Sequence, residues 1–237
     1  MQTAAKVARA SYSSQDNAVA NDNISINDMQ SPDLRRRRHL FFKRLFDITA
    51  SFGALLLLAP VLLLIALAIR AESPGSPIFS QLRWGKDGRK FRVYKFRSMR
   101  ADLCDPTGVA QTVKGDARVT KMGSFLRRTN LDELPQLINV LIGDMALVGP
   151  RCHAIGMYAG GMLYEELVPA YHRRHVMRPG LTGLAQMRGL RGPTGRPSRA
   201  RARIHSDLYY VDRFSIWLDF KILFGTLVSE LRNGQGF

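Results

Sequence analysis

The chain has 237 residues, with 35 Lys plus Arg against 19 Asp plus Glu and a formal net charge of +16. That length holds one sizeable domain and an appendage. The charge excess calls for an anionic partner: nucleic acid, phospholipid headgroups or a phosphorylated substrate. Cys104 and Cys152 are too few for a disulfide framework, which points to free thiols in a reducing compartment.

Residues 1–33 are rich in Ser, Asn, Asp, Gln and Ala without an apolar period, and read as a disordered tail with no secretory signal. "LRRRRHLFFKRLFD" (34–47) then mixes cations with Leu and Phe, as suits a segment at a membrane surface. "ITASFGALLLLAPVLLLIALAI" (48–69) carries no charge over 22 residues. As a straight helix it reaches roughly 33 Å, enough to cross a ~30 Å hydrocarbon core. Basic residues flank both ends, which disfavours a straight crossing. Pro60 lies near the middle, where it removes a backbone donor. A helix that breaks at Pro60 and returns to its own face satisfies both facts, although spanning helices also tolerate proline.

Residues 71–237 read as one mixed domain. Strands are expected near Ile78–Leu82 and Phe91–Phe96, joined by a turn at "WGKDG". A helix is expected over 121–145, with Leu134, Leu137, Ile138 and Leu141 on one stripe. A weaker helix covers 162–175, a Gly/Pro-rich loop 178–197, and two helical patterns 205–232. The second of these, from Ile216, has an apolar stripe that can pack on the core or lie on a bilayer. The fold class is therefore α+β, mainly helical, with a small β-hairpin, in three parts: tail 1–33, membrane segment 34–70 and a mixed domain 71–237.

"TNLDELPQL" (129–137) sets Asp132 beside Glu133 at what reads as a helix start, since Pro135 fits only in a first turn. Helix capping alone accounts for acids there. Yet neighbours on a helix point about 100° apart, so the two cap poorly together. A carboxylate kept ionised at such a site can also act as a nucleophile or a Mg²⁺ ligand while its neighbour takes a proton. Cations surround the pair in sequence: Lys95 and Arg97 at strand spacing, Arg127 and Arg128 just before it, and Arg151 after it. From Arg173 to Arg203 there are nine arginines and no acid. Arginine suits bidentate phosphate recognition, and Gly-rich loops let backbone N–H groups approach an anion. The histidines lack the partners of a zinc set.

The order of the apolar segment with its proline, "YKFRSM", "LDELPQLINVLIGDMALVGPR", "RPGLTGLAQMRGLRG", "DLYYV" and "SIWLDFKIL" strongly resembles the bacterial sugar transferases, the monotopic polyprenyl-phosphate phosphoglycosyl transferases. The resemblance covers roughly 42–232 and rests on long, specific motifs. It implies that Asp132 attacks the β-phosphate of a UDP-sugar, that UMP leaves, and that undecaprenyl phosphate, deprotonated or oriented by Glu133, takes up the phospho-sugar. It implies Mg²⁺ near Asp132, a re-entrant helix at Pro60, and a bacterial inner-membrane protein with its catalytic domain on the cytoplasmic face. The expected substrate contacts are Lys95, Arg97, Arg128, Arg151, Arg178, Thr182, Gln186, Arg188 and Arg191. UDP-galactose or UDP-glucose is the favoured donor, from the likeness of "LRGPTG" to members that transfer those sugars. Membrane lipids are expected partners, nucleic acid is not, and non-polar surface near the bilayer allows a homo-oligomer. This sequence departs from the family in having Ala59 where Ser often precedes the proline, and Cys152 where "GPRP" is usual. The rival readings are a nucleic-acid-binding protein, which the uncharged 48–69 run disfavours, and a membrane adaptor whose acid pair is only a cap.

Overall fold

The computed structural model describes residues 34–103, 112, 115–159, 161–192 and 195–233. The tail 1–33 and Cys104 lie outside the described residues. The chain divides into two units, 1–38 and 39–237. The first contributes only the helical residues 34–38, and the second holds the rest of that helix and every other element.

Helix α1 (Leu34–Glu72) opens the described chain. Pro60 lies inside it without ending it, so the expected break is not a helix end. Within its most apolar stretch only 11% of residues are buried. Phe52, Leu56, Leu57, Leu63 and Leu64 are exposed. The flanks behave otherwise. On the N-terminal side, Lys43 pairs with Asp219 at 2.8 Å, and Asp47 accepts from the Leu147 amide. On the C-terminal side, Ile65 and Ile69 are buried with Phe96 and Leu126.

Strands β1 (Ile78–Trp84) and β2 (Lys90–Phe96) form the expected antiparallel hairpin, with Ile78 opposite Phe96 and Trp84 opposite Lys90. Residues 121–145 do not form one helix. Helix α2 (Lys121–Arg128) starts at Thr120, whose side chain accepts from the Gly123 amide. Asn130 then adopts φ 54, a left-handed conformation that stops the helix. A 3₁₀ turn, Leu131–Glu133, follows, and then helix α3 (Gln136–Ile142). Arg44 and Arg178 close α3 by donating to the carbonyls of Val140, Leu141 and Gly143.

Buried Asn139 of α3 joins this helix to the hairpin. Its carboxamide accepts from the Tyr94 amide at 3.0 Å and donates to the Arg92 carbonyl at 2.7 Å. Asn139→Ala leaves both backbone groups unpaired, and we expect a loss of about 2 kcal/mol by urea unfolding.

Strand β3 (Ala146–Val148) pairs in parallel with β6 (Gly180–Thr182). Between them come the two-residue strands β4 (Tyr158–Ala159) and β5 (Met162–Leu163), then 3₁₀ turns over Tyr164–Glu166 and Tyr171–Val176 where a helix was expected. Within "RPGLTG", part of the expected loop, Gly180–Thr182 is therefore strand. A Cβ on Gly180 would stand 2.1 Å from the Gly149 nitrogen, so its glycine serves close backbone packing. Helices α4 (Leu184–Met187), α5 (Pro197–Asp212) and α6 (Ile216–Asn233) complete the chain. The core links β3, α4, α5 and α6 through Val148, Leu184, Tyr210, Val211 and Ile222. On α6, Trp217 is 83% and Phe224 70% exposed, and Phe220 meets Phe46 of α1 edge to face.

Candidate active site

Asp132 and Glu133 sit in the tight turn that feeds α3, and β2 and the segment after β3 face them with cations. The neighbours are treated oppositely. Glu133 accepts from Lys95 at 2.6 Å and from both terminal nitrogens of Arg151, at 2.6 and 3.3 Å. Burial works to raise its pKa, but the Arg151 and Lys95 charges hold the carboxyl well below the usual range. Glu133 is thus a fixed anion between two cations, which makes proton uptake costly.

Asp132 is 8% exposed, and among the described residues nothing hydrogen-bonds to its carboxylate. Burial pushes its pKa up, opposed by Lys95, Arg127 and Arg151 and assisted by the Glu133 charge. Asp132 is thus a nearly buried carboxylate with no donor of its own, under the charges of Lys95, Arg127 and Arg151.

The expected contacts divide in the structure. Lys95 and Arg151 reach the acids, and Arg191 lies within electrostatic range of Glu133 and Arg151. Arg128 is exposed, whereas Arg127 is the one of that pair whose charge reaches Asp132. One Arg127 nitrogen, Nη1, is buried without a hydrogen-bond partner. Helical phase decides this: α2 turns its 127 side inward and its 128 side to solvent.

Arg97, expected at a phosphate, is hydrogen-bonded within the protein. It is buried at the end of α1, donating to the carbonyls of Ser73 at 2.6 Å and Ile69 at 3.5 Å. Arg178 is committed to the end of α3. Thr182 is hydrogen-bonded to Thr226 at 2.8 Å, and Gln186 donates to the Leu181 carbonyl. Arg188 donates to Ser206 and covers the Tyr209 ring. These five side chains are engaged in joining elements. Sequence reading missed Arg83, on β1, which donates to the Cys152 carbonyl at 3.0 Å and stands within electrostatic range of Glu133 and Arg151. The strand was expected to end at Leu82, so no signal in the sequence marked Arg83, which the structure sets on β1 opposite Phe91.

Among the described residues no group of three or more His, Cys, Asp or Glu side chains could hold a metal. A cation bound mainly by a diphosphate needs only one or two protein carboxylates, and uncommitted Asp132 fits that requirement.

Two adjacent carboxylates under arginine and lysine, in a chain with one helix long and apolar enough to cross a membrane, suit the handling of phosphorylated substrates. The chain belongs to the bacterial sugar transferase family, whose model matches residues 38–233. It is 69% identical over 198 residues to the exopolysaccharide production protein PSS of Rhizobium leguminosarum bv. phaseoli, covering 84% of this chain and 99% of that protein. It is 48% identical over 195 residues to the UDP-glucose:undecaprenyl-phosphate glucose-1-phosphate transferase of Escherichia coli (strain K12), covering 82% of this chain but 41% of that protein. Identity is 41% over 193 residues to the UDP-N-acetylgalactosamine-undecaprenyl-phosphate N-acetylgalactosaminephosphotransferase of Aeromonas hydrophila, with 81% and 44% covered. The chain therefore spans less than half the length of these last two relatives.

Proposed function

We propose that the chain transfers a sugar-1-phosphate from a UDP-sugar to undecaprenyl phosphate, as the first membrane step of exopolysaccharide or related glycan synthesis. The observation that carries this reading is the free Asp132 carboxylate beside a Glu133 pinned between Lys95 and Arg151. An Asp132 oxygen attacks the β-phosphorus. The bond from that phosphorus to the bridging oxygen breaks, and UMP departs with the electron pair. An oxygen of undecaprenyl phosphate then attacks the same phosphorus and frees Asp132, giving undecaprenyl-diphosphate-sugar.

Phosphoryl transfer needs positioning and charge neutralisation above all, and Lys95, Arg127 and Arg151 supply both. A Mg²⁺ held by Asp132 and the diphosphate would offset further phosphate charge. A phosphate monoester has its second pKa near ~6, so the lipid acceptor is largely ionised at neutral pH. Glu133 therefore acts by orienting cations and acceptor. The donor proposed first is UDP-glucose, after the names of several relatives, with UDP-galactose the other candidate.

The site is placed on the cytoplasmic face of a bacterial inner membrane, with α1 re-entrant. Support comes from its flanks: Lys43 and Asp47 on one side, and Ile65 and Ile69 on the other, all contact the same domain. A domain on one bilayer face holds both flanks only if the apolar stretch returns to that face. Cysteines introduced near positions 38 and 72 should then react with an impermeant thiol reagent from the same side. Labelling from opposite sides refutes re-entry.

The enzymatic reading is tested by incubating membranes with a panel of UDP-sugars and Mg²⁺. A phospho-sugar mass increment should appear on the peptide containing Asp132. Lipid-linked product formed without that increment under trapping conditions rejects the covalent route. Within the cluster, Arg127→Ala should lower UMP release about 10- to 100-fold. Arg128→Ala, on the solvent side of α2, should stay within about threefold of wild type.

A further inference from the structure

Arg174 takes part in none of these transfer steps, yet it is 2% exposed. Its guanidinium donates to the Asp207 carboxylate, to His153 Nδ1 and to the backbone carbonyl of Arg151. Its charge stands 5.1 Å from the Tyr171 ring centroid. Asp207 is 1% exposed, and the Arg151 amide helps to hold down a pKa that burial raises. The ion pair thus reaches the backbone of Arg151 through Arg174, which donates to its C=O while Asp207 holds the guanidinium. At its other end Arg151 grips Glu133 at 2.6 Å. His153 is kept neutral by burial and by Arg174, so its Nδ1 is free to accept.

An ion pair this deeply buried is a poor source of stability, because desolvation of both charges offsets much of their attraction. Its partners come from separate elements, the Tyr171–Val176 turn and α5, and together they fix a donor on the Arg151 carbonyl. Arg151 is the residue whose side chain holds the neighbour of Asp132.

We propose that Arg174 and Asp207 are positioning residues that clamp the Arg151 backbone, so that its guanidinium meets Glu133 and the transferring phosphate in one fixed geometry. This deepens the proposed function and rests on it. Neither residue touches the substrate. Each acts through Arg151, much as outer partners orient metal ligands. A displacement of about 1 Å at such a group costs on the order of 100-fold in rate.

A double-mutant cycle tests the clamp in the full chain in lipid nanodiscs, with UDP-glucose or the active donor from the panel. Single-turnover UMP release is measured for wild type, Asp207→Asn, Arg151→Ala and the double variant, with thermal unfolding of each. We expect Asp207→Asn to lose about 10- to 100-fold. In the Arg151→Ala background the same change should cost less than about threefold, because the path of its effect is gone. Losses that multiply overturn the proposal and make the pair a structural link. Should Asp207→Asn fail to unfold cooperatively, Arg174→Lys takes its place, since it keeps the charge on Asp207 but loses donors to the Arg151 carbonyl. Collapse of both variants also overturns the clamp. An inactive wild type on every UDP-sugar rejects the proposed function itself, whereas an active wild type with a multiplicative cycle rejects only the clamp.

Discussion

Asp132→Asn should abolish UMP release, by on the order of 10⁴-fold or more, and remove any phospho-sugar adduct while membrane association stays unchanged. The amide has the shape of the carboxylate but no lone-pair charge with which to attack phosphorus. The same substitution carries a second expectation of opposite sign. Burial raises the Asp132 pKa above its ordinary value of 3.8, so the folded state binds that proton more tightly than the unfolded chain does. The stability this group contributes is full below pH 3.8 and is lost as pH rises through the raised value. At neutral pH the ionised carboxylate therefore weighs against folding, and Asp132→Asn should unfold at the same temperature as wild type or a higher one. The rate has the reverse dependence, since only the ionised form attacks. Single-turnover adduct formation should fall as pH drops through the raised Asp132 pKa. An inactive variant that is also unstable would assign Asp132 a structural role.

The hairpin was legible because its signals are local: alternating apolar residues on either side of a Gly-containing turn. The acid pair was legible as two adjacent carboxylates in a strongly basic chain, Lys95 by strand spacing and Arg151 by position after the acid motif. The single helix expected over 121–145 failed at Asn130. One residue at positive φ splits an apolar period that otherwise continues, and the split places the acids in a 3₁₀ turn. Helix α5 begins at Pro197, eight residues before the apolar pattern at 205 suggests. Its first two turns are arginine-rich and show no stripe, although proline at a first helical position is itself a start signal. Arginine roles were the least legible. Arg97, Arg127 and Arg128 are the same residue type within reach of the same motif. Only the tertiary structure distinguishes a helix cap, a site cation and a solvated side chain. Buried Arg174 belongs to an acid-free run that reads, as a group, as anion-binding, while its partner Asp207 comes from another segment.

Glu133→Gln should affect both activity and stability, with each sign set by the ion pairs. The carboxylate is held ionised by Arg151 and Lys95, with its side chain 16% exposed. Its folded pKa lies below the ordinary 4.5, so its contribution to stability is present above 4.5 and is lost as pH falls through the depressed value. Removing the charge at neutral pH strands two partly buried cations, at a cost of about 3 kcal/mol. That is opposite in sign to the effect expected at the adjacent Asp132. Turnover should fall about 100- to 1,000-fold, because Lys95 and Arg151 lose the anchor that aims them at the phosphate. The distribution of that loss distinguishes two roles. An orienting Glu133 serves both halves of the reaction, so UMP release and lipid transfer slow together and no phospho-enzyme accumulates. A Glu133 that instead takes a proton from the lipid phosphate affects only the second half, and the adduct on Asp132 then builds up. Quench-flow measurement of the UMP burst beside lipid-linked product separates them, and we expect parallel slowing because a carboxylate clasped by two cations is a weak base.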